Sequence, residues 1–424
     1  MDVHVTKTVP IEFKWVVDAY RKVRQGGKAV GIDEESWAEF DKNPERNCYV
    51  IWNRMASGSY HPQPVRAVEI PKKDGSKRKL GIPTLRDRIS QEVVKEYMEK
   101  RIDKRFHENS YGYRPMKSAH DALKQVMQNC YRYDWVIDMD ISKFFDEIDH
   151  ELMLKAVAHI MPEEKWVSMY VKRWLEMPVQ EVTGEIKPKE GKGTPQGGVI
   201  SPILANLYLH YTLDLWLSRE YPEVSFVRYA DDVVVHCRHK EGAEKVLTAI
   251  KERLGQVKLS IKESKTRIVY CKDYRRSEKQ EAVKFEFLGF SFQPISMENK
   301  KHEGTYFNGY GSKPSPSNIQ KMIRLIRLEK AFKNTGMVIK DIAKELNAKL
   351  RGWINYYGLF NKYHLGRVMY RVDYRLIQWI KKKHKVGRRK ATAKLKAIKQ
   401  DDPKLFYHWE VGICLKHTMT TRAV

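Results

Sequence analysis

The sequence predicts an α+β protein: a body built on an antiparallel sheet, then a helical bundle, then a basic C-terminal segment. Three observations carry this. Residues 225–236 (SFVRYADDVVVH) place two β-rich apolar runs around a tight centre holding Asp231 and Asp232, which reads as strand, turn, strand. Residues 135–141 alternate, with Trp135, Ile137, Met139 and Ile141 on one face and Val136, Asp138 and Asp140 on the other. In residues 337–358, Ile339, Ile342, Ala343, Leu346, Leu350, Trp353, Ile354 and Tyr357 form one apolar stripe at helical spacing.

Composition narrows the function. Hydrophobic content of 42% and aromatic content of 11% over 424 residues fit folded domains rather than a disordered chain. The formal charge of +26 points to a polyanionic partner, most simply nucleic acid. The charge is uneven. Residues 312–424 hold 27 Lys+Arg against 7 Asp+Glu, whereas residues 1–311 hold 52 against 46. The last quarter is therefore a basic surface attached to a balanced body. No apolar run approaches a membrane span, and Met1 to Trp15 has no signal-peptide core, so no membrane partner is expected. Five scattered cysteines without C-x-x-C spacing argue against a disulfide framework or a zinc site. They point instead to a reducing, cytoplasmic compartment.

Taken in order, residues 12–24 and 34–55 read as helices, the second interrupted near Pro44. Val65 to Ile70 and Lys77 to Ile82 read as strands joined by a turn with Asp74-Gly75 at its tip. This basic hairpin fits a phosphate cradle or a solvated edge. Helices are expected at 87–106, 118–131, 164–177 and 241–254, with a loop at Ser110 to Pro115. Gly193 to Gly198 is a flexible loop feeding a helix, with Ser201 as its N-cap and Pro202 at the first helical position. Residues 267–271 form a strand, 285–292 an aromatic strand pair, and the polar stretch 297–317 reads as a domain boundary. Beyond it, helices at 318–333, 337–358 and 365–382 form a three-helix bundle. Lys381 to Lys390, with seven basic residues in ten, reads as a nucleic-acid arm.

Two carboxylates on one strand face and two at a hairpin tip would meet if those strands share a sheet. Such a cluster suits two Mg²⁺ ions about 3.5–4 Å apart, as in-line phosphoryl transfer requires. By itself the Asp231-Asp232 pair also fits a solvated hairpin tip, and spacing does not choose Asp140 over Asp138.

At this point the motifs resemble a known family. Tyr229-Ala230-Asp231-Asp232 looks like the palm signature of reverse transcriptases, and Asp140 to Asp146 (DISKFFD) resembles the strand supplying their third carboxylate. Gly193 to Pro202 is similar to their Pro-Gln-Gly block. Arg78 to Pro83 (RKLGIP) and Tyr111 to Pro115 (YGYRP) resemble their fingers blocks. Leu350 to Tyr357 (LRGWINYY) looks like the maturase domain of bacterial group II intron proteins. The blocks occur in family order from about Gly31 to Trp409, and the chain reaches Val424 without the Cys-pair and His-rich endonuclease domain of many relatives.

The resemblance implies a right-hand polymerase. It places an N-terminal extension and fingers at 1–135, a palm at 136–296, a thumb/maturase bundle at 312–382 and a basic nucleic-acid-binding segment at 383–424. It assigns Asp140, Asp231 and Asp232 to catalysis and to two Mg²⁺ ions, with Mn²⁺ as a substitute. It gives Lys72 and Arg78 the triphosphate, Phe145 the gate beneath the incoming sugar, Gln196 the nucleotide and template, and Lys265 the leaving pyrophosphate. Nucleic-acid contacts are expected at Arg114, Gly197, Lys381, Lys382, Lys383, Lys385, Arg388, Arg389 and Lys390. The partners implied are group II intron RNA, an RNA template with a DNA primer, target DNA and dNTPs; oligomeric state is left open. The activity implied is RNA-directed DNA synthesis together with maturation of intron RNA. A free-standing relative recruited to host defence and a splicing cofactor with an idle polymerase site are the alternatives.

Overall fold

The computed structural model describes residues 8–71, 75, 77–299 and 304–413. The strands are β1 (Val65–Pro71), β2 (Lys77–Ile82), β3 (Trp135–Asp140), β4 (Val179–Gln180), β5 (Ile186–Lys187) and β6 (Ser225–Tyr229). They continue with β7 (Asp232–Cys237), β8 (Arg267–Tyr270), β9 (Phe285–Phe287), β10 (Phe290–Glu298) and β11 (Tyr306–Pro314). They form three sheets, ordered β2-β1-β4-β5, β6-β7-β3-β8 and β11-β10-β9. By compactness the chain falls into two interleaved units. The first takes residues up to Ser118, Met139–Val233 and Glu244–Thr266; the second takes Ala119–Asp138, Val234–Ala243 and the chain from Arg267 onward. The chain crosses between them at β3 and β7.

In the first unit, helices Phe13–Arg24 and Pro44–Ala56 pack on Leu85–Ile102. The short helix Trp37–Phe40 starts at a capping box, in which Ser36 accepts from the Glu39 N–H and Glu39 accepts from the Ser36 N–H. Strands β1 and β2 pair antiparallel with Val68 opposite Leu80, and β4 joins β1 in parallel. The buried helix Ser201–Leu209 runs through a π-turn, His210–Asp214, into Leu215–Glu220.

In the second unit, the stretch expected as a boundary supplies the end of β10 and all of β11. Strands β10 and β11 pair from Phe290 opposite Pro314 to Glu298 opposite Tyr306. The strand was hard to read because Gly309 and Gly311 interrupt it. Both are spacing residues: a Cβ at Gly309 would lie 2.6 Å from Met297 Sδ, and one at Gly311 would lie 2.3 Å from Ile295 Cδ1. Strands β9 and β10 are joined by Leu288-Gly289, both at positive φ (47° and 81°), as a two-residue hairpin demands.

The helices Pro316–Leu328, Ile339–Tyr357 and Gly366–His384 follow expectation, and a fourth, Arg388–Asp401, joins them. The basic segment is thus a helix–helix junction at Lys385, which takes the left-handed conformation, rather than an arm. The fourth helix was obscured because few apolar residues, buried Ala391 and Leu395 among them, stand among its lysines. Its core also holds Met322, Leu346, Leu350, Leu376, Trp379, Phe406 and Trp409. Among the described residues no helix is long and apolar enough to cross a membrane. Leu376→Ala should lower stability by about 2–5 kcal/mol, the usual cost of truncating a fully buried leucine. Urea unfolding of the intact chain checks this.

Candidate polymerase active site

Every described residue assigned above to the carboxylate site and the nucleotide lies in the first unit. The β6–β7 hairpin turns through Ala230 and Asp231, and Ala230 takes φ 58°. A residue with a β-carbon pays about 1–3 kcal/mol for that conformation, so the surroundings must hold it. One wall is Gly112: a Cβ there would stand 2.4 Å from the Ala230 nitrogen. The loop carrying Gly112 pairs with β6, because Tyr111 N–H donates to Arg228 O at 2.8 Å and Arg228 N–H donates to Asn109 O at 2.9 Å. The Tyr111 to Pro115 block is therefore a mould for the acidic turn.

Asp231 is half-buried and Asp232 exposed. Asp140 ends β3, and its carbonyl accepts from Lys262 N–H at 2.7 Å. Burial pushes the Asp231 carboxyl above the usual range and the Asp140 charge pushes the same way, while its own backbone N–H, Arg78 and Lys265 oppose them. The same cluster reaches Tyr113, whose phenol is raised by burial and by Asp231, Tyr229 and Asp232. The Lys265 ammonium donates to Asp140 Oδ2 at 2.6 Å. Asp138 instead pairs across strands with Arg267 at 3.2 Å, which separates it from Asp140.

Three hard carboxylate donors suit a hard divalent cation. Among the described residues no three acidic, imidazole or thiolate side chains are gathered tightly enough to hold a metal as they stand. The Lys265 ammonium sits on Oδ2 of Asp140, and carboxylate oxygens are the donor type such an ion takes.

Arg78 on β2 donates through Nε to Gln196 Oε1 at 2.5 Å, and Gln196 Nε2 donates to Asp146 Oδ1 at 3.3 Å. Gln196 O accepts from Gly81 N–H at 2.8 Å, and Thr194 N–H donates to Phe145 O at 2.7 Å. The loop thus links β2 and the helix Phe144–Glu147. Gly197 permits this with φ 116°, since a Cβ there would meet Gly81 O at 2.6 Å. Phe145 is buried. Lys72 lies outside the described residues.

The N-cap expectation is corrected, and the expected nucleic-acid contacts are placed. Ser201 is not an N-cap: it is the first helical residue, and its hydroxyl donates to Pro195 O at 2.9 Å. The helix start is served by buried Gln91, whose Oε1 accepts from Val199 N–H at 2.8 Å and Ile200 N–H at 3.4 Å. Arg114 does not face a phosphate, for its side chain is 6% exposed and its guanidinium bonds Asp103, His107 O and Ser110 O. Lys383 is partly spent as well, donating to Thr335 O at 3.0 Å and Met337 O at 2.5 Å. Lys381, Lys382 and Lys385 surround the end of the third bundle helix, and Arg388, Arg389 and Lys390 open the fourth. Sequence reasoning missed Gln91 and Arg228; a lone charge within the apolar run Phe226-Val227-Arg228-Tyr229 was the available signal for the latter.

Gly112→Ala should reduce DNA synthesis at least ~10-fold by displacing the turn, read by primer extension, and should also lower the melting temperature through the backbone clash. A carboxyl raised on folding contributes stability that is full below its unfolded pKa and is lost as pH rises through its folded value. Asp231→Asn should therefore raise the metal-free Tm at pH 7 by about 1–3 °C. That gain should shrink as pH falls toward 4 in scanning fluorimetry.

Residues 70–292 match the family described as reverse transcriptase (RNA-dependent DNA polymerase), and residues 319–396 match the group II intron, maturase-specific domain. The chain is 30% identical over 303 residues to protein YkfC of Escherichia coli, covering 61% of this chain and 78% of that one. It is 26% identical over 447 residues to the group II intron-encoded protein LtrA of Lactococcus lactis, covering 85% and 71%. It is 27% identical over 192 residues to nuclear intron maturase 4 of Arabidopsis thaliana, covering 45% and 23%. The first match spans more than half of the chain, and enzymes of this family depend on divalent metal in general. With its polymerase blocks followed by a maturase-specific domain, the chain belongs to the reverse transcriptase family, as an RNA-directed DNA polymerase of the group II intron reverse transcriptase/maturase kind.

Proposed function

We propose that Asp140, Asp231 and Asp232 hold two Mg²⁺ ions and that this site copies intron RNA into cDNA. The observation that carries the reading is the electrostatic coupling of Asp231 to Asp140, with Arg78 and Lys265 acting on the same carboxyl. A carboxylate whose proton affinity is raised by a neighbouring carboxylate is matched by cations. When bound, the ions would activate the primer 3′-hydroxyl and stabilise the leaving pyrophosphate. Lys265, released from Asp140, would neutralise charge developing on that pyrophosphate. Arg78, steered by Gln196, would clamp the triphosphate, and Lys72 shares this assignment. The Phe145 ring would lie beneath the sugar and clash with a 2′-hydroxyl. Gly197 keeps the loop close to the nascent pair.

On this reading, residues 1–135 are the extension and fingers, 136–296 the palm and 312–382 the thumb and maturase bundle. The cationic surface from Lys381 to Lys390 would bind intron RNA, template–primer and target DNA through phosphates. A cytoplasmic ribonucleoprotein location accompanies that role.

Primer extension on poly(rA) with oligo(dT), dTTP and Mg²⁺ tests the site. Wild type should make DNA, and Asp231→Ala should make roughly 10³-fold less or none. Absence of DNA from wild type, or full activity in the variant, would overturn the assignment. Binding of intron RNA should survive Asp231→Ala. It should weaken steeply with salt, and replacing Arg388, Arg389 and Lys390 by Ala should flatten the log–log slope by up to about 3.

A further inference from the structure

Beneath the acidic turn lies a buried polar assembly that takes no direct part in the chemistry above. Arg228 and Asp214 form an ion pair in which both side chains are 0% exposed. The guanidinium grips the carboxylate two-fold, Nε to Oδ1 at 2.7 Å and Nη2 to Oδ2 at 2.5 Å. Its remaining arm, Nη1, donates to Asn206 Oδ1 at 2.9 Å and to Ala230 O at 3.1 Å. The Asn206 amide completes the circuit by donating to Gly112 O at 2.7 Å. One guanidinium therefore ties the left-handed residue of the turn to the glycine that moulds it.

The helix that supplies these partners is shaped for them. Asn206 and Asp214 are eight residues apart, and eight residues of plain α-helix overshoot two turns by ~80°. The π-turn at His210–Asp214 takes up about one extra residue per turn and brings the two side chains toward one line. The backbone acceptors in the turn are supplied elsewhere: Arg253 Nε donates to Thr212 O at 3.0 Å and its Nη2 to Tyr211 O at 3.4 Å. A π-turn braced in this way is a built feature of the helix.

We infer that Arg228, delivered to the turn by the π-turn pair Asp214 and Asn206, is a positioning residue that holds Ala230 in its left-handed conformation and so aims Asp231 and Asp232 at the metals. The inference rests on the proposed catalytic role of those carboxylates. A buried ion pair is by itself weak evidence of a contribution to stability, so its retention here is explained by geometry. Lysine at position 228 would keep the charge opposite Asp214 but lacks the fork that reaches Asn206 and Ala230 together. Glycine at 230 adopts positive φ without strain and would need the clamp less.

The test uses the full chain and reads Mn²⁺ binding without nucleic acid, by the electron paramagnetic resonance of free Mn²⁺, beside melting and the kcat and KM for dTTP. Arg228→Lys should fold, bind Mn²⁺ at least tenfold more weakly and lose kcat, with KM changed less than about threefold. Adding Ala230→Gly to Arg228→Lys should recover part of the Mn²⁺ affinity. Asn206→Ala, which spares the ion pair, should weaken Mn²⁺ binding in the same direction, and it decides the matter if Arg228→Lys does not fold. Wild-type Mn²⁺ affinity in the folded variants, or a loss that Ala230→Gly leaves untouched, overturns the inference. Asp231→Ala separates the two readings. If it still makes DNA, the site assignment itself fails; if it makes none while the Arg228 and Asn206 variants behave as wild type, only the positioning role fails.

Discussion

The structure turns on one electrostatic constraint: like-charged carboxylates must be held near one another, partly out of water. Burial and Asp140 both raise the proton affinity of Asp231. Left to itself, a flexible turn would relax by swinging one carboxylate into solvent. The chain resists this with rigid backbone: a left-handed Ala230, a glycine pressed against it, and strand pairing from the Ser110 to Tyr113 loop. Lys265 supplies a positive charge to the cluster through its ion pair with Asp140.

A second hydrogen-bonded chain runs through the first unit. Arg78–Gln196–Asp146 joins β2 to the helix Phe144–Glu147 through side-chain hydrogen bonds, and glycines let the backbones close around it. Each link is individually modest. Together they hold the glycine loop against β2 and the helix Phe144–Glu147. In the second unit the basic residues are divided. Some carry the bundle's charge at the junction of two helices, and others, such as Lys383, close the backbone carbonyls beside them.

Much of this was legible in the residues. The strand ending at Asp140 and the hairpin carrying Asp231 and Asp232 were readable because period-two apolar runs flank the carboxylates. The helix stripe of 337–358 needed only its period. Boundaries failed where composition misled: β11 is glycine-rich because β10 fills the space above it, and Arg388–Asp401 looked like an arm because its few buried residues sit among lysines. Arg114 looked like a phosphate ligand and is a clip between backbone carbonyls and Asp103.

The sequence by itself determined the family, the class of fold and the basic character of the C-terminal quarter, since each resides in residue type and local period. Only the tertiary structure decided what supports them. That Asp138 belongs to Arg267, that Gln91 caps the helix behind the Pro-Gln-Gly loop, and that a π-turn aligns Asp214 with Asn206 under Arg228 are pairings between residues far apart in the chain. Such pairings have no local signature, because a buried polar group is satisfied by whatever the fold brings to it.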